Sequence, residues 1–280
     1  MRRILRIWPL FYAMILFAFL TPFILNFLHL SYSNEGYKPS WLLSSLFLEN
    51  YKMMITGSFP NTAPIRVMWS LCIEEHFYIV WGVIFYFISL KRVPRLIGIS
   101  IIVGSIFRIA YYHYGIASVD LFSNIDYFAF GAIPAYMLLF KDRYMKRVES
   151  IPLAFKYALP VAATALVFAI PNFHLGWLEL VAPILFSILF ASTILFTLTA
   201  SNHIIISDRY LISKLGVFTY GLYLFHTIII SLAIQINKML LFKVNSLLLA
   251  LAALILTITV SMLSYHLFEK QFLKLKRFFY

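Results

Sequence analysis

The residues best suited to chemistry open a long apolar run: Met68-Trp69-Ser70-Leu71-Cys72-Ile73-Glu74-Glu75-His76-Phe77-Tyr78. On a helix Ser70, Glu74, Phe77 and Trp81 share one face, and Leu71, Glu75, Tyr78 and Gly82 share the next. The two carboxylates then splay by about 100°, so both cannot turn harmlessly toward the same surroundings. A glutamate here can act as acid, base or orienting partner of another group. The competing reading places both carboxylates at a water interface, where the positive end of a helix favours negative charge.

Other ionisable groups lie farther along the chain. Arg108 and Asp126 are opposite charges that the apolar pattern sets at similar depth, either as a structural ion pair or as site residues. His226 sits in Tyr220-Gly221-Leu222-Tyr223-Leu224-Phe225-His226, near the middle of an apolar run, where packing and catalysis are both open readings. Arg3 and Arg6 are one turn apart at the head of the first apolar run, so they can clamp a phosphate or simply contact lipid headgroups. Glu269 and Lys270 are expected to snorkel from the end of the last run. His29, His113, His174 and His203 fall near helix ends or in loops and receive no role.

Composition decides what kind of element must position these groups. Of 280 residues, 62% are apolar and only 12% are charged, and mean hydropathy is +0.87. A soluble domain carries about 25% charged residues. Too few are present to cover a globule, so much of the surface must face lipid, and a soluble enzyme is excluded. The single cysteine, Cys72, excludes a disulfide framework and a multi-cysteine metal site. No ligand cluster calls for a metal or a redox cofactor.

A helix needs about 20 mostly apolar residues to cross a bilayer. Eight segments qualify, near 7–28, 68–90, 96–114, 124–140, 157–171, 177–200, 215–236 and 244–268. The net charge of +12 is distributed as topology requires rather than as a nucleic-acid patch. With the N-terminus inside, 17 of the 23 Lys and Arg residues fall in inner loops and five in outer ones, and Arg108 lies within a span. The expectation is an all-α, polytopic transmembrane bundle of about eight spans, one integral domain over 1–280, with both termini cytoplasmic. No A-x-A-like cleavage site follows the first run, so it is expected to remain a span. The loop from about Ser31 to Val67 is long for a connection, and its Tyr37, Trp41, Asn50, Tyr51 and Asn61 suit a sugar or an interfacial belt.

Taken in order, these segments resemble the integral-membrane acyltransferase family 3. Arg2–Pro9 is similar to that family's basic stretch before a span. Met68–Tyr78 resembles its W-S-L-x-x-E-x-x-F-Y signature, the most specific match. Asn124-Ile125-Asp126-Tyr127-Phe128-Ala129-Phe130-Gly131-Ala132 resembles R-x-D-x-F-x-x-G-A, with Asn124 in place of arginine. Leu215 through His226 resembles L-G-x-x-S-Y-x-x-Y-L-x-H, with Thr219 in place of serine. Ser264-Tyr265 followed by Glu269 resembles S-Y-x-x-x-E.

The resemblance implies transfer of an acyl group, acetyl by preference, from cytoplasmic acyl-CoA to a hydroxyl of an extracytoplasmic glycan at a bacterial plasma membrane. It implies acyl-CoA as co-substrate, with no bound cofactor. Arg3 and Arg6 would contact the CoA phosphates. Glu74, more than Glu75, would support a catalytic histidine or position the acceptor, with Trp69, Ser70 and Tyr78 shaping the substrate site and Asp126 and His226 as further candidates. Relatives carry two additional helices before the basic stretch, one of them bearing the catalytic histidine, and no residue here replaces that histidine by motif. The chain is therefore expected to lack that pair, or to receive it from a separate protein. The alternatives are a non-catalytic remnant or half of a split enzyme. Third comes a transporter or flippase, against which the absence of a repeated half speaks.

Overall fold

The computed structural model describes residues 3–27, 35–173, 176–239 and 244–279. His29 and His174 lie outside them. The chain is 82% helical, and no strand forms among the described residues. Eight long helices appear where the apolar runs place them: Ile4–Phe27, Trp69–Phe87, Val93–Tyr114, Leu121–Phe140, Leu153–Ala169, Leu178–Thr197, Thr219–Met239 and Ser246–Ser264. Seven of the helical segments are long and apolar enough to cross a membrane. Leu121–Phe140 is not among those seven, because Ser123, Asn124 and Asp126 dilute its first turns.

The helices begin and end for local reasons. Asp120 caps Leu121–Phe140 by accepting from the Ser123 amide at 3.0 Å, and Asn245 caps Ser246–Ser264 by accepting from Leu247 at 2.8 Å. Pro94 stands in the first turn of Val93–Tyr114, where its missing N–H is not needed, and Gly115 closes that helix at φ +65°.

The described residues pack as two compact units, 1–72 with 208–280, and 73–207. In the first, the core comprises Leu10, Phe11, Met14, Ile15 and Ala18 of the first long helix, with Phe47, Ile65, Met68, Leu71, Cys72 and Leu224. Phe11 and Phe47 stack at 4.1 Å. The segment before Trp69, treated above as one long loop, folds into three short helices, Trp41–Ser45, Glu49–Thr56 and Ala63–Val67. It is closed by a bridge between Tyr37 and Pro60, and Gly36 makes the closure possible. Its φ is +96°, and a Cβ there would lie 2.0 Å from the Phe59 carbonyl oxygen.

In the second unit, Val93, Ile97 and Ala129 form a core with Trp81, Ile101, Ala132, Ile133 and Tyr136 around them. The turns at 149–156 and 199–205 are knitted by polar side chains. Lys156 is fully buried and donates to the carbonyls of Glu149, at 3.3 Å, and Asn202. Asn202, at φ +50°, returns its amide to Glu149 and Ile151 oxygens at 2.7 and 2.8 Å. The Glu149 carboxylate accepts from the Ser201 amide at 2.6 Å and from the Ser201 hydroxyl. The Lys156 ammonium is the internal tie for two turns.

Those two Ser201 hydrogen bonds, ahead of a smaller attraction from Lys156, hold the Glu149 carboxyl below its ordinary range. A depressed folded-state pKa stabilises the junction above the unfolded value of about 4.3. The contribution disappears as pH falls through the lower folded value. Hydrogen exchange of the 199–203 amides, corrected for intrinsic rates, should therefore show protection falling with acidification through the carboxylate range. Ser201→Ala should lower protection at neutral pH and flatten that dependence.

Candidate active site

The sequence-derived candidates divide between the two units. Arg3, Arg6, Trp69, Ser70 and His226 belong to the first; Glu74, Glu75, Tyr78 and Asp126 belong to the second.

In the first unit the Thr219–Met239 helix presents Tyr220, Tyr223 and Thr227 at one-turn spacing. Each side chain binds a backbone carbonyl of another element: Tyr220 to Ile7 at 2.8 Å, Tyr223 to Val67, and Thr227 to Ala63 at 3.2 Å. Two of these satisfy carbonyls of the short Ala63–Val67 helix, whose last turn has few partners of its own. A carbonyl can only accept, so the Tyr223 O–H donates to Val67. The Ser70 hydroxyl, 2.5 Å from the Tyr223 oxygen, must then supply the proton of that contact. Ser70 is thereby spent as a donor and pins the head of its helix.

The same logic fixes His226. Its Nδ1 lies 2.6 Å from the Tyr223 carbonyl oxygen, so Nδ1 carries the proton. Nε2 of the neutral ring is left as an acceptor, the form in which an imidazole takes a proton from a hydroxyl. The ring is half-buried.

At the other end of the first long helix, Arg3 is half-buried and Arg6 is exposed. Their spacing survives, with the Arg6 amide bonded to the Arg3 carbonyl at 3.0 Å. Glu269 is buried and does not snorkel. It ends a π-helical turn, Tyr265–Glu269, accepts from Ser264 Oγ at 3.2 Å and feels the charge of Arg6. The wide turn draws its carboxylate inward where regular α-spacing would predict an exposed residue.

The folded segment before Trp69 holds a carboxylate that the sequence did not single out. Glu49 is 1% exposed and accepts from Ser44 Oγ at 2.9 Å and the Ser40 amide at 3.3 Å. Tyr37 donates to the Glu49 carbonyl at 3.4 Å. Burial, and then the charge of Glu49, push the Tyr37 phenol well above its ordinary range, so it remains a protonated donor. Asn50 is wholly buried. Of the sugar-type side chains in this segment, Trp41 and Tyr51 remain on the surface, whereas Asn50 and Tyr37 serve the fold.

In the second unit Glu74, Glu75 and His76 are half-buried, and Tyr78 is exposed beside Phe77. The helix starts at Trp69, so both carboxylates lie beyond its first turn. The favourable effect of a helix N-terminus fades within that turn. The helix dipole therefore does not account for the placing of this pair. Phe77, three residues after Glu74, stacks on Phe128 at 4.1 Å and fixes the rotation of this helix against Leu121–Phe140.

Arg108 and Asp126 form a buried ion pair. Nη2 lies 2.7 and 2.8 Å from the two carboxylate oxygens and 3.0 Å from the Ser123 carbonyl. Asp126 is wholly buried and Arg108 is 6% exposed. Gly104 allows this approach, since a Cβ there would lie 2.8 Å from Asp126 atoms. With both oxygens engaged, Asp126 could act as acid or base only if the pair opened.

A family model described as an acyltransferase domain matches residues 1–266. The chain belongs to acyltransferase family 3. No curated protein and no solved structure matches it. Where it departs from the family's elements, the substituted side chains make local bonds. Asn124 donates to the Ser118 and Asp120 carbonyls at 3.1 and 2.8 Å, and Thr219 donates to Gly216 at 3.0 Å.

Removing one partner of a buried pair costs about 3–5 kcal/mol because the other charge is stranded. Asp126→Ala should therefore lower stability by about that amount. Replacing both partners, Arg108→Met with Asp126→Leu, should recover most of the loss, as read from thermal unfolding in detergent. If Asp126 only positions helices, the double variant should also regain activity.

Proposed function

We propose that the chain is a membrane O-acyltransferase that moves an acyl group, acetyl by preference, from cytoplasmic acyl-CoA to a hydroxyl of an extracytoplasmic glycan. The observation that carries this reading is His226, a half-buried imidazole in an apolar helix whose Nδ1–H is committed to a carbonyl. With Nδ1 as the donor, Nε2 of the neutral ring is the lone-pair nitrogen, the form in which an imidazole accepts a proton.

The chemistry is a single displacement. The base takes the proton of the acceptor hydroxyl, the oxygen attacks the thioester carbonyl, and the tetrahedral oxyanion collapses with cleavage of the C–S bond. The sulfur leaves as CoA thiol once it regains a proton, and the glycan carries a new ester. Arg3 and Arg6 offer the cationic contact that CoA phosphates need. Glu74 is the second candidate for the proton-accepting role, carried by the family's signature and by its position beyond the reach of the helix dipole. The positive-inside distribution supports both termini in the cytoplasm, the side that holds acyl-CoA.

The test uses membranes containing the full chain, radiolabelled acetyl-CoA and the host's own glycans. Label should enter the polysaccharide fraction. A general base contributes roughly 10²–10⁴ in rate, so His226→Gln or Glu74→Gln should lower transfer by about 10²-fold or more, whichever is the base. Arg3→Gln with Arg6→Gln should raise the KM for acetyl-CoA. Absence of transfer from the unaltered chain as well as from every variant would identify a non-catalytic relative.

A further inference from the structure

The short helix Asp142–Glu149 runs directly into Leu153–Ala169, a helix long and apolar enough to cross a membrane, so in either orientation it falls beside a membrane surface. Its sequence separates cleanly into two faces. Arg143, Lys146 and Arg147 fall within an arc of about 100°, and Tyr144, Met145 and Val148 fall on the other side. The three cations are exposed, as is Lys141 just before them. Met145 and Val148 are half-buried, and Tyr144 is 51% exposed with the Arg147 guanidinium 5.6 Å from its ring. Of the two acids on this helix, Asp142 is exposed one turn before Lys146, whereas the carboxylate of Glu149 is engaged by another turn. Glu149 is held by Ser201, and its carbonyl is held by Lys156 and Asn202. An eight-residue helix would fray alone. Here its last turn is pinned from three sides, so the cations are presented on a fixed support.

We propose that Arg143, Lys146 and Arg147 form a binding site for the phosphate headgroup of an anionic phospholipid, with Tyr144 resting at the acyl boundary. Charge complementarity and position select this occupant. The site sits at the level of headgroups, on the side to which the positive-inside pattern assigns the cytoplasmic leaflet. Each basic residue near an anionic leaflet is drawn to its surface potential. An apolar face of this width anchors a helix in the interfacial plane. The fixed spacing of two guanidiniums one turn apart favours a phosphate held by both, which a mobile basic loop would not provide.

The full chain in nanodiscs of phosphatidylcholine, with and without phosphatidylglycerol, provides the test. The anionic lipid should raise the unfolding midpoint, because a ligand that binds the folded state stabilises it. Arg143→Gln with Lys146→Gln and Arg147→Gln should keep the midpoint in phosphatidylcholine alone and lose at least half of the rise. Lys270→Gln with Lys274→Gln and Lys276→Gln, which removes the same charge elsewhere, should keep the rise. Ser201→Ala leaves the charge of the face unchanged but frees its support, and it should also weaken the rise. Should the triple variant be unstable in neutral lipid, phosphatidylglycerol retained per protein after purification gives the same comparison by mass spectrometry, with Arg143→Lys and Arg147→Lys as the charge-conserving control. An undiminished rise in the triple variant would overturn the proposal. So would an equal rise on adding inorganic pyrophosphate to phosphatidylcholine nanodiscs, which would make the face a site for a soluble phosphate.

Discussion

In a bilayer core no water is present to satisfy a stray N–H or C=O, and each unpaired group costs several kcal/mol. This constraint organises the molecule. Helices satisfy their own backbones, so a chain that is 62% apolar and rich in long apolar runs becomes a set of helices. Polar side chains within the spans then spend themselves on carbonyls already present. Thr21, Ser105, Thr257 and Ser261 each bond the carbonyl four residues back, at 2.7 to 2.9 Å. Where a side chain reaches another element instead, it becomes a structural tie. Tyr220, Tyr223 and Thr227 play that part on one helix, and Lys156 plays it at a turn.

The same scarcity of water gives the unspent groups their interest. A hydroxyl such as Ser70, with its proton committed to Tyr223, is inert as a donor. An imidazole with one nitrogen committed is different, because its other nitrogen becomes a defined acceptor. His226 is thus specified by a single backbone bond. Glu74 and Glu75 present a related case. They lie too far into their helix for the dipole to hold them at the interface, so their half-buried position must be supported by the protein. Asp126 stands at the opposite extreme, with both oxygens locked by Arg108.

Much of this was legible in the sequence, and the rest was hidden for identifiable reasons. The spans were readable because lipid demands runs of about 20 apolar residues, and the observed helix ends fall within a few positions of those expected. The Arg108–Asp126 pair was visible as two opposite charges at matching depth. Glu49 was not, because its burial depends on a tertiary fold of 35–67 closed by Gly36 and the Tyr37–Pro60 bridge, and no periodicity announces that closure. Glu269 was misread because snorkelling assumes regular α-spacing, and the π-turn at Tyr265–Glu269 rotates the carboxylate inward. The role of Lys156 was hidden because positive-inside counting treats every loop lysine alike, although its long apolar stem lets the ammonium reach two carbonyls.

Family membership and physical reasoning constrain the activity in different ways. Membership rests on elements spread across residues 1–266, so it speaks for the chemistry of the whole domain and not for any one side chain. The bonds assign side chains individually, and they divide the family-matched positions by what each group has left to offer. Tyr223 and Ser70 have given up their protons to the fold, Asp126 its lone pairs, and Glu269 accepts from Ser264 while attracted to Arg6. A neutral His226 ring with Nδ1 as its donor keeps Nε2 as an acceptor. Acyl transfer needs at least one group whose protonation can change during the reaction while its neighbours stay fixed. The proposed role asks this of His226, and the bonds of Tyr220, Tyr223 and Thr227 restrict the motion of the helix that carries it.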